Sequence, residues 1–292
     1  MGPSFSVVVP TKGRPHYLQG CLAAMARMGP PSGGFEVVVV NDGGGPEIDA
    51  VVSAAPASLR ARVVATAGEG PSAARNAGAA MAAGQYLAFT DDDCEPEPGW
   101  LVEFQRALAA DPDAGLGGTT LNGAVGNPGA AATQIVFDAL HAHFNRTPGA
   151  PRFFDAINLA LPTETFRTIG GFDERFHTAE ARELCLRWIE GGHSLRHAPA
   201  AVVNHMRTLS VGQFLRQHHG YGRGAWAFRA RGGLGSGDSA GVVRGIFSGL
   251  HRSDPRAGRR RVGAYLVLSQ LATASGFMRE AAASVRVGDP RR

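Results

Sequence analysis

The chain has 292 residues, of which 44% are hydrophobic and 18% charged, with a formal net charge of +4. The hydrophobic fraction suffices for a sizeable core, which argues against a disordered chain, and the length allows one large domain or one domain with a helical appendage. Three scattered cysteines argue against a disulfide framework or a zinc site. No uncharged apolar run reaches the roughly 18–20 residues of a membrane-spanning helix. Since the N-terminus also lacks the regions of a signal peptide, we expect a cytoplasmic protein.

Four short apolar runs alternate with helical segments in the first 90 residues. The predicted strands are 5–9, 35–40, 62–65 and 86–90, and the predicted helices between them are 17–28, 48–59 and 72–84. This alternation predicts an α/β fold with an open, mostly parallel sheet flanked by helices. Ligands of such sheets bind beyond the carboxyl ends of the strands. That rule selects the loops 10–16, 41–46, 66–72 and 91–98.

The second half of the chain has a less regular pattern. Residues 111–160 are rich in Gly, Ala and Asn and predict a mixture of edge strands and loops. A helix over 178–190 and a strand over 195–204 follow. Beyond 207 the pattern is helical, with a glycine-rich break at 232–241 and a final helix near 262–285.

Charge is distributed unevenly along the chain. Residues 207–292 contain fifteen arginines and four acidic residues, a balance of +11, which leaves −7 for residues 1–206. An acidic body followed by a basic tail predicts two parts, 1–206 and 207–292. Two interpretations of the tail stay open: it packs onto the body, or it makes a peripheral contact with the anionic inner face of a membrane. The arginines lack interleaved aromatic residues, so we expect no nucleic-acid partner.

Three aspartates, Asp91, Asp92 and Asp93, directly follow the fourth predicted strand. Adjacent carboxylates repel one another and lose hydration when they are partly buried, so a cation is needed to hold them at a cleft. Carboxylate and phosphate oxygens suit Mg²⁺ or Mn²⁺. The sequence therefore favours a metal–phosphate site. The alternative is a solvated acidic loop that caps a helix beginning near 97–100.

A second pattern points to another chemistry. Gly68, Gly70 and Ala73 spell G-x-G-x-x-A between a strand and a helix, with Asp91 about 20 residues on. This spacing is typical of dinucleotide-binding folds and indicates a nicotinamide-dependent oxidoreductase as an alternative. Two observations count against it. The fingerprint normally belongs to a first strand–helix unit, whereas two units precede it here, and Pro71 lies within the turn.

Six segments together carry a family resemblance. In order they are VVVPTKGRPHYLQGCL, VVVVNDGG, GPSAARNAG, YLAFTDDDCEPEPGWL, NLALPTETFRTIGGFDERF and AEARELCLRWIEGGHSLRHAPAAVVNH. They resemble family 2 glycosyltransferases of bacterial type, with the GT-A fold, over about residues 4–206. The resemblance implies a metal-dependent, inverting transfer of a sugar from a nucleoside diphosphate sugar, typically a UDP-sugar. The implied acceptor is a hydroxyl of a glycan, a lipid-linked molecule or a small molecule.

The resemblance also implies roles for individual residues. Those expected to bind the nucleotide sugar are Pro10, Thr11, Arg14, Asp42, Arg75, Asp91 and Asp92. Those expected to hold Mn²⁺ or Mg²⁺ are Asp93 and His205, although a single histidine after a strand is also often structural. Those expected to border the acceptor are Trp100, Asn158 and Gly171.

The general base is where this chain departs from the family. Displacement at an anomeric carbon needs a carboxylate that deprotonates the acceptor hydroxyl. The family usually has Glu-Asp at the start of the acceptor-side helix, and the Asp is the base, whereas this chain reads Glu180-Ala181. We expect Glu180 to be the base, with Glu183 and Asp155 as alternatives. The chain could also be a nucleotide-sugar-binding protein with little activity.

One segment of the tail, residues 213–217, is similar to the Q-x-x-R-W element of processive polysaccharide synthases. The tryptophan of that element is absent, and no spanning helices follow. We therefore expect the transfer of one or a few sugars. The sequence leaves the sugar, the acceptor and the oligomeric state open.

Overall fold

The computed structural model describes residues 4–232 and 239–286. These ranges contain eight strands and ten α-helices. The strands are β1 (Phe5–Thr11), β2 (Phe35–Asp42), β3 (Ala61–Thr66), β4 (Tyr86–Phe89), β5 (Cys94–Pro96), β6 (Gly115–Asn122), β7 (Leu159–Pro162) and β8 (Leu195–His205). The helices are α1 (Pro15–Met25), α2 (Glu47–Ser53), α3 (Pro71–Met81), α4 (Trp100–Ala110), α5 (Pro128–Phe144), α6 (Thr163–Thr168), α7 (Glu180–Glu190), α8 (Val211–Ala230), α9 (Ser239–Ser248) and α10 (Arg259–Arg286).

All eight strands form one sheet, in the order β3-β2-β1-β4-β7-β6-β8-β5. The first four strands are parallel, so their carboxyl ends lie along one edge. The pairs β4–β7, β6–β7 and β5–β8 are antiparallel, whereas β6 and β8 are parallel. The predicted α/β architecture is therefore confirmed, with parallel pairing throughout the first half and a mixed second half.

The sheet has a hydrophobic core on each face. Val7 and Val9 of β1 belong to the cluster formed with α1, α2 and α4. Val8, between them, belongs to the cluster on the opposite face, which includes α3 and α7. Side chains alternate across a strand, so a strand covered on both faces needs apolar residues at successive positions. This explains why β1 and β2 are valine runs.

The prediction for residues 111–160 was wrong in two respects. The segment contains the 17-residue helix α5, and its strands β6 and β7 lie inside the sheet, while β3 and β5 form the edges. The Asn127 side chain caps α5 by accepting a hydrogen bond from the Ala130 amide at 2.8 Å, and Pro128 occupies the first turn. Alanine is the strongest helix former, so the alanine-rich composition favours a helix once this cap is present.

The other predicted elements need smaller adjustments. Helix α2 ends at Ser53, because Pro56 interrupts the segment before a short 3₁₀ turn at Ala57–Leu59. The predicted glycine-rich break at 232–241 lies mostly outside the described residues, which omit 233–238. Helices α8, α9 and α10 pack against α5 around a third hydrophobic cluster. The division into 1–206 and 207–292 stays a prediction.

Candidate active site

The site lies where the parallel strands end. Thr11 closes β1, Asp42 closes β2, and Asp91 to Asp93 follow β4. Parallel strands bring these ends to the same edge of the sheet, which is why residues about 80 positions apart in sequence meet there. The Thr11 hydroxyl donates a 2.6 Å hydrogen bond to Asp92.

Asp92 is fully buried behind this edge. Arg14 donates from Nε to its Oδ2 at 3.1 Å and also forms an ion pair with its other oxygen. Burial raises the pKa of Asp92 to about 7, because desolvation outweighs the opposing effect of Arg14. Asp92 therefore anchors Arg14 and Thr11, and its expected contact with the donor stays a prediction.

Asp93 and His205 are brought together by the pairing of β5 with β8. Cys94, the first residue of β5, pairs with His205, the last residue of β8. His205 Nε2 lies 3.4 Å from Asp93 Oδ1, and Arg14 Nη1 donates to Asp93 Oδ2 at 2.6 Å. Burial would raise the pKa of Asp93, but its contacts with His205 and Arg14 lower it. Burial would likewise lower the pKa of His205, but the bond to Asp93 and its charge raise it.

This pair has the chemistry of a metal site. The ligand atoms of Asp93, Cys94 and His205 all lie within 4.8 Å of one another. Burial raises the pKa of the Cys94 thiol well above its usual value, and sulfur is a softer donor than Mg²⁺ or Mn²⁺ prefers. A carboxylate and an imidazole suit Mn²⁺. The residues present thus fit a divalent cation with two protein ligands.

Arg75 connects the strand edge to the acceptor-side helix. Its guanidinium donates to Asp91 Oδ1 at 2.6 Å and to Glu180 Oε1 at 3.1 Å. Its side chain is only 3% exposed, and it lies over the ring of Phe172. Burial raises the pKa of Glu180 above its usual value, although Arg75 opposes that shift. A raised pKa makes a carboxylate a stronger base, as an acceptor-activating residue requires.

Asp91 and Glu180 line one cavity of about 380 Å³, which the C-terminal helices help to close. Tyr221 of α8 and Gln270 of α10 lie in its wall. Arg207, Arg182 and Asp155 also line it; Asp155 was expected only as an alternative base, and neither arginine was predicted from the sequence. The position of Arg207 two residues after His205 was the available signal. A larger cavity of about 660 Å³ lies between α5 and α9 and contains none of the strand-end carboxylates.

The two alternative bases have different surroundings. Glu183 is fully buried and forms ion pairs with Arg187 at 2.6 Å and with Arg231 at 3.0 Å, away from the cavity. The Arg187 pair lies within α7, whereas the Arg231 pair ties α7 to the end of α8, and Glu183 is not in the cavity wall. Asp155 does line the cavity, and it contacts His141 Nε2 at 2.7 Å.

The residues expected to border the acceptor are not in the cavity wall. Trp100 is fully buried, and its indole donates to the side-chain oxygen of Asn158 at 2.8 Å. The Asn158 amide nitrogen donates to the carbonyls of Thr119 and Ala201, so it crosslinks β6 and β8. Gly171 has a φ of +67°, and its carbonyl accepts a hydrogen bond from Arg187. Their expected contact with an acceptor stays a prediction.

Comparisons with known proteins agree with this geometry. The model of the family described as Glycosyl transferase family 2 matches residues 6–170, which is more than half of the chain. The chain belongs to glycosyl transferase family 2. Membership in this family excludes the oxidoreductase alternative.

Relatives of known name support the assignment. A pre-mycofactocin glycosyltransferase from Mycobacterium tuberculosis is 30% identical over 165 residues, covering 54% of this chain and 34% of that protein. The glycosyltransferase AglE from Haloferax volcanii is 26% identical over 228 residues, covering 76% of this chain and 73% of that protein. The match spans about a third of the length of the mycobacterial relative, and the remaining two thirds of that protein lie outside the match.

Solved structures confirm the predicted GT-A fold. The mannosyltransferase PcManGT from Pyrobaculum calidifontis, solved with GDP-Man and Mn²⁺, superposes with a TM-score of 0.67 at 17% identity, covering 99% of this chain and 88% of that chain. TarS 1–349 from S. aureus, solved with UDP-GlcNAc, superposes with a TM-score of 0.54 at 18% identity, covering 100% and 93%. At these identities the likeness shows the fold alone.

The glycine-rich turn of this family 2 chain follows an edge strand. Asp42 accepts hydrogen bonds from the Thr66 hydroxyl at 2.8 Å and from the amides of Glu69 and Gly70 at 2.9 and 3.1 Å. Gly68 and Gly70 have positive φ values, as a turn folded back on Asp42 requires. The glycines therefore shape the loop beside the strand edge. Within residues 4–232 and 239–286, no helix has the length and apolar character needed to cross a membrane.

Proposed function

We propose that this chain transfers a sugar from a nucleoside diphosphate sugar to an acceptor hydroxyl and inverts the anomeric centre. The observation that carries the proposal is the cavity in which Asp91 and Glu180 are joined by Arg75. One carboxylate belongs to the donor-side strand edge and the other to the acceptor-side helix. Family membership supports the same reaction class.

The donor would lie along the strand ends. Thr11 and Arg14 follow β1, Asp42 closes β2, and Asp91 lines the cavity. Asp93 and His205 would hold Mn²⁺ or Mg²⁺, which when bound supplies positive charge opposite the leaving diphosphate. PcManGT was solved with GDP-Man and Mn²⁺, and TarS with UDP-GlcNAc. We propose a uridine nucleotide as the donor, as the family resemblance implies. The test below compares UDP-sugars with GDP-mannose.

Glu180 would activate the acceptor. Its carboxylate takes the proton of the acceptor hydroxyl while that oxygen attacks the anomeric carbon. The bond from the anomeric carbon to the diphosphate oxygen breaks, and its electron pair leaves with the diphosphate. Attack from the face opposite the leaving group gives inversion in one step. Arg75 keeps Glu180 oriented through its hydrogen bond, and its positive charge opposes the burial that raises the pKa of Glu180.

A second candidate function has one observation in its favour. Ala181 occupies the position where the family usually has its base, and its methyl group is buried in the hydrophobic cluster of α3 and α7. If Glu180 does not replace that base, the chain binds a nucleotide sugar with little turnover. We favour the enzyme, because Glu180 lies in the cavity with a raised pKa.

The tail would contribute to the acceptor side. Tyr221 and Gln270 lie in the cavity wall, so residues 207–292 would shape the acceptor pocket of a catalytic body formed by 1–206. The acceptor would be a glycan, a lipid-linked molecule or a small molecule. A cytoplasmic location remains a prediction.

Turnover with defined donors tests the proposal. Purified protein is incubated with UDP-glucose, UDP-GlcNAc or GDP-mannose, Mn²⁺ and a panel of sugar acceptors. Release of nucleoside diphosphate is measured, and the product's anomeric configuration is read by NMR. We expect release that depends on both donor and metal, and a product of inverted configuration. Tight nucleotide binding without any release across the panel would favour the binding protein.

A further inference from the structure

We propose that the outer face of α10 docks the protein on an anionic membrane surface, with the helix lying along the lipid interface. The proposal concerns binding and does not depend on the proposed reaction. It rests on the exposed side chains of α10, on what its inner face contacts, and on the charges around it.

The outer face of α10 is a continuous apolar stripe. Its large members are 50% to 82% exposed: Val267 (50%), Leu271 (63%), Met278 (63%) and Val285 (82%). The alanines at 264, 274 and 282 are exposed between them. The successive spacings are three or four residues, so all seven positions share one side of the helix. The stripe runs for roughly 30 Å along the axis at 1.5 Å per residue.

The inner face of α10 packs against the body and lines part of the cavity. Val262 and Leu266 are fully buried in the cluster shared with α5. Gln270 and Thr273 line the cavity that contains Asp91 and Glu180. Contacts with the body involve only the inner face of α10. Packing therefore does not account for the apolar side chains of the outer stripe. A surface seated on that stripe would lie about one helix diameter, roughly 10 Å, from the cavity.

The charges around the stripe indicate which kind of surface it would bind. Arg259, Arg260 and Arg261 are exposed at the start of the helix, and Arg279 is exposed farther along. The single acid of α10, Glu280, is paired with Arg223 of α8 at 2.6 Å. An apolar face bordered by arginines matches a bilayer surface that contains anionic lipids. A second copy docking through the same face with parallel helices would bring these arginine clusters together, so the charges disfavour that dimer.

Vesicle co-sedimentation of the full-length protein tests the proposal. The probes are vesicles of phosphatidylcholine alone and vesicles with 30% phosphatidylglycerol, each at low and high salt. We expect binding to the anionic vesicles that falls with salt and is at least tenfold weaker on neutral vesicles. The double variant Leu271→Glu/Met278→Glu should bind anionic vesicles at least tenfold more weakly than the wild type.

A matched control variant shows whether weaker vesicle binding comes from the position of the substitutions on α10 or from introducing two glutamates at any exposed site. Leu121 and Met81 are 45% and 53% exposed on the catalytic body, so Leu121→Glu/Met81→Glu makes the same changes elsewhere and should bind like the wild type. Three results would overturn the proposal: no binding of the wild type to anionic vesicles, equal binding to neutral ones, or equal binding by the α10 variant. A dimer in light scattering that the α10 variant dissociates, without vesicle binding, would assign the stripe to a second copy. Donor binding should be unchanged in every variant, so failure here is distinct from failure of the proposed reaction.

Discussion

Asp91 and Glu180 share one guanidinium: Arg75 donates to the first at 2.6 Å and to the second at 3.1 Å. The two carboxylates belong to elements about 90 residues apart, the end of β4 and the start of α7. The guanidinium is buried, so its charge acts on both carboxylates with little screening. Arg75 therefore links the donor side of the cavity to the base proposed for the acceptor.

Replacing Arg75 with glutamine should move the pH dependence of turnover. The positive charge of Arg75 opposes the burial that raises the pKa of Glu180, so removing that charge raises this pKa further. The base is active only when deprotonated, and activity should be lost at a higher pH as the solution is acidified. We expect the acid limb of kcat/KM to shift upward by about one pH unit, the low end of the effect of a nearby opposite charge.

The control for this shift is Arg62→Gln. Arg62 pairs with Glu36, which is outside the cavity, so the variant loses the same charge and should keep the wild-type acid limb. Nucleoside diphosphate release measured from pH 5 to pH 9 supplies both profiles. An Arg75→Gln profile that coincides with the wild type would contradict the coupling.

Glu180→Gln should reduce turnover, whereas Glu183→Gln should reduce the stability of the fold. Glutamine at 180 cannot accept the acceptor proton, so turnover should fall at least ~100-fold, the usual contribution of a positioned base. Glutamine at 183 leaves the Arg187 and Arg231 charges without their partner, and the free energy of unfolding should fall by about 3 kcal/mol.

Turnover per folded molecule and denaturant unfolding distinguish the two roles. The Glu183 variant should keep its turnover at a temperature where it remains folded. Full activity in the Glu180 variant would remove it as the base. Loss of turnover in Glu183→Gln at unchanged stability would assign the proton transfer to that residue instead.

The contact between His141 and Asp155 should make stability depend on pH. Burial lowers the pKa of His141, but the charge and hydrogen bond of Asp155 raise it above its usual value of 6.5. A raised folded-state pKa means that the pair stabilises fully below the unfolded pKa and loses that contribution as pH rises through the folded pKa. The stability difference between wild type and His141→Gln should therefore be larger at pH 6 than at pH 9, by about 1 kcal/mol or roughly 2 °C in Tm.

Thermal unfolding at the two pH values measures this difference. His251→Gln, at an exposed position between α9 and α10, is the control for the removal of an imidazole. A His141→Gln difference that is constant between pH 6 and pH 9 would contradict a folded-state pKa of His141 above its unfolded value.

Much of the site could be predicted because strand ends carry a local signal. An apolar run followed by Asp91 to Asp93 marks both a buried strand and the place where it stops, and the parallel order of β1 to β4 brings the other loops to the same edge. Helix α5 was missed because alanine- and glycine-rich segments lack hydrophobic periodicity, and its cap at Asn127 is a single residue. The ion pairs of Arg75 with Glu180 and of Glu183 with Arg231 depend on how α7 packs against distant elements, which local sequence does not encode.

Trp100 and Asn158 illustrate the same limit. Both lie in segments that resemble the family, so a role at the acceptor was a reasonable prediction. The structure joins them by a 2.8 Å hydrogen bond inside the core. Sequence resemblance identifies positions near a site, whereas burial decides whether a side chain contacts the ligand or supports the residues that do.

Calorimetric binding of UDP and GDP, with Mn²⁺ or with EDTA, tests whether the end of β4 holds a metal–diphosphate site. We expect one nucleotide to bind at least ten times more tightly with Mn²⁺, and Asp93→Asn to abolish the metal effect, because Asp93 and His205 are the proposed ligands. Asp111→Asn, whose carboxylate pairs with Arg196 outside the cavity, should behave like the wild type. Equal nucleotide affinity with Mn²⁺ and with EDTA, or an undiminished metal effect in Asp93→Asn, would contradict a metal–diphosphate site at the end of β4.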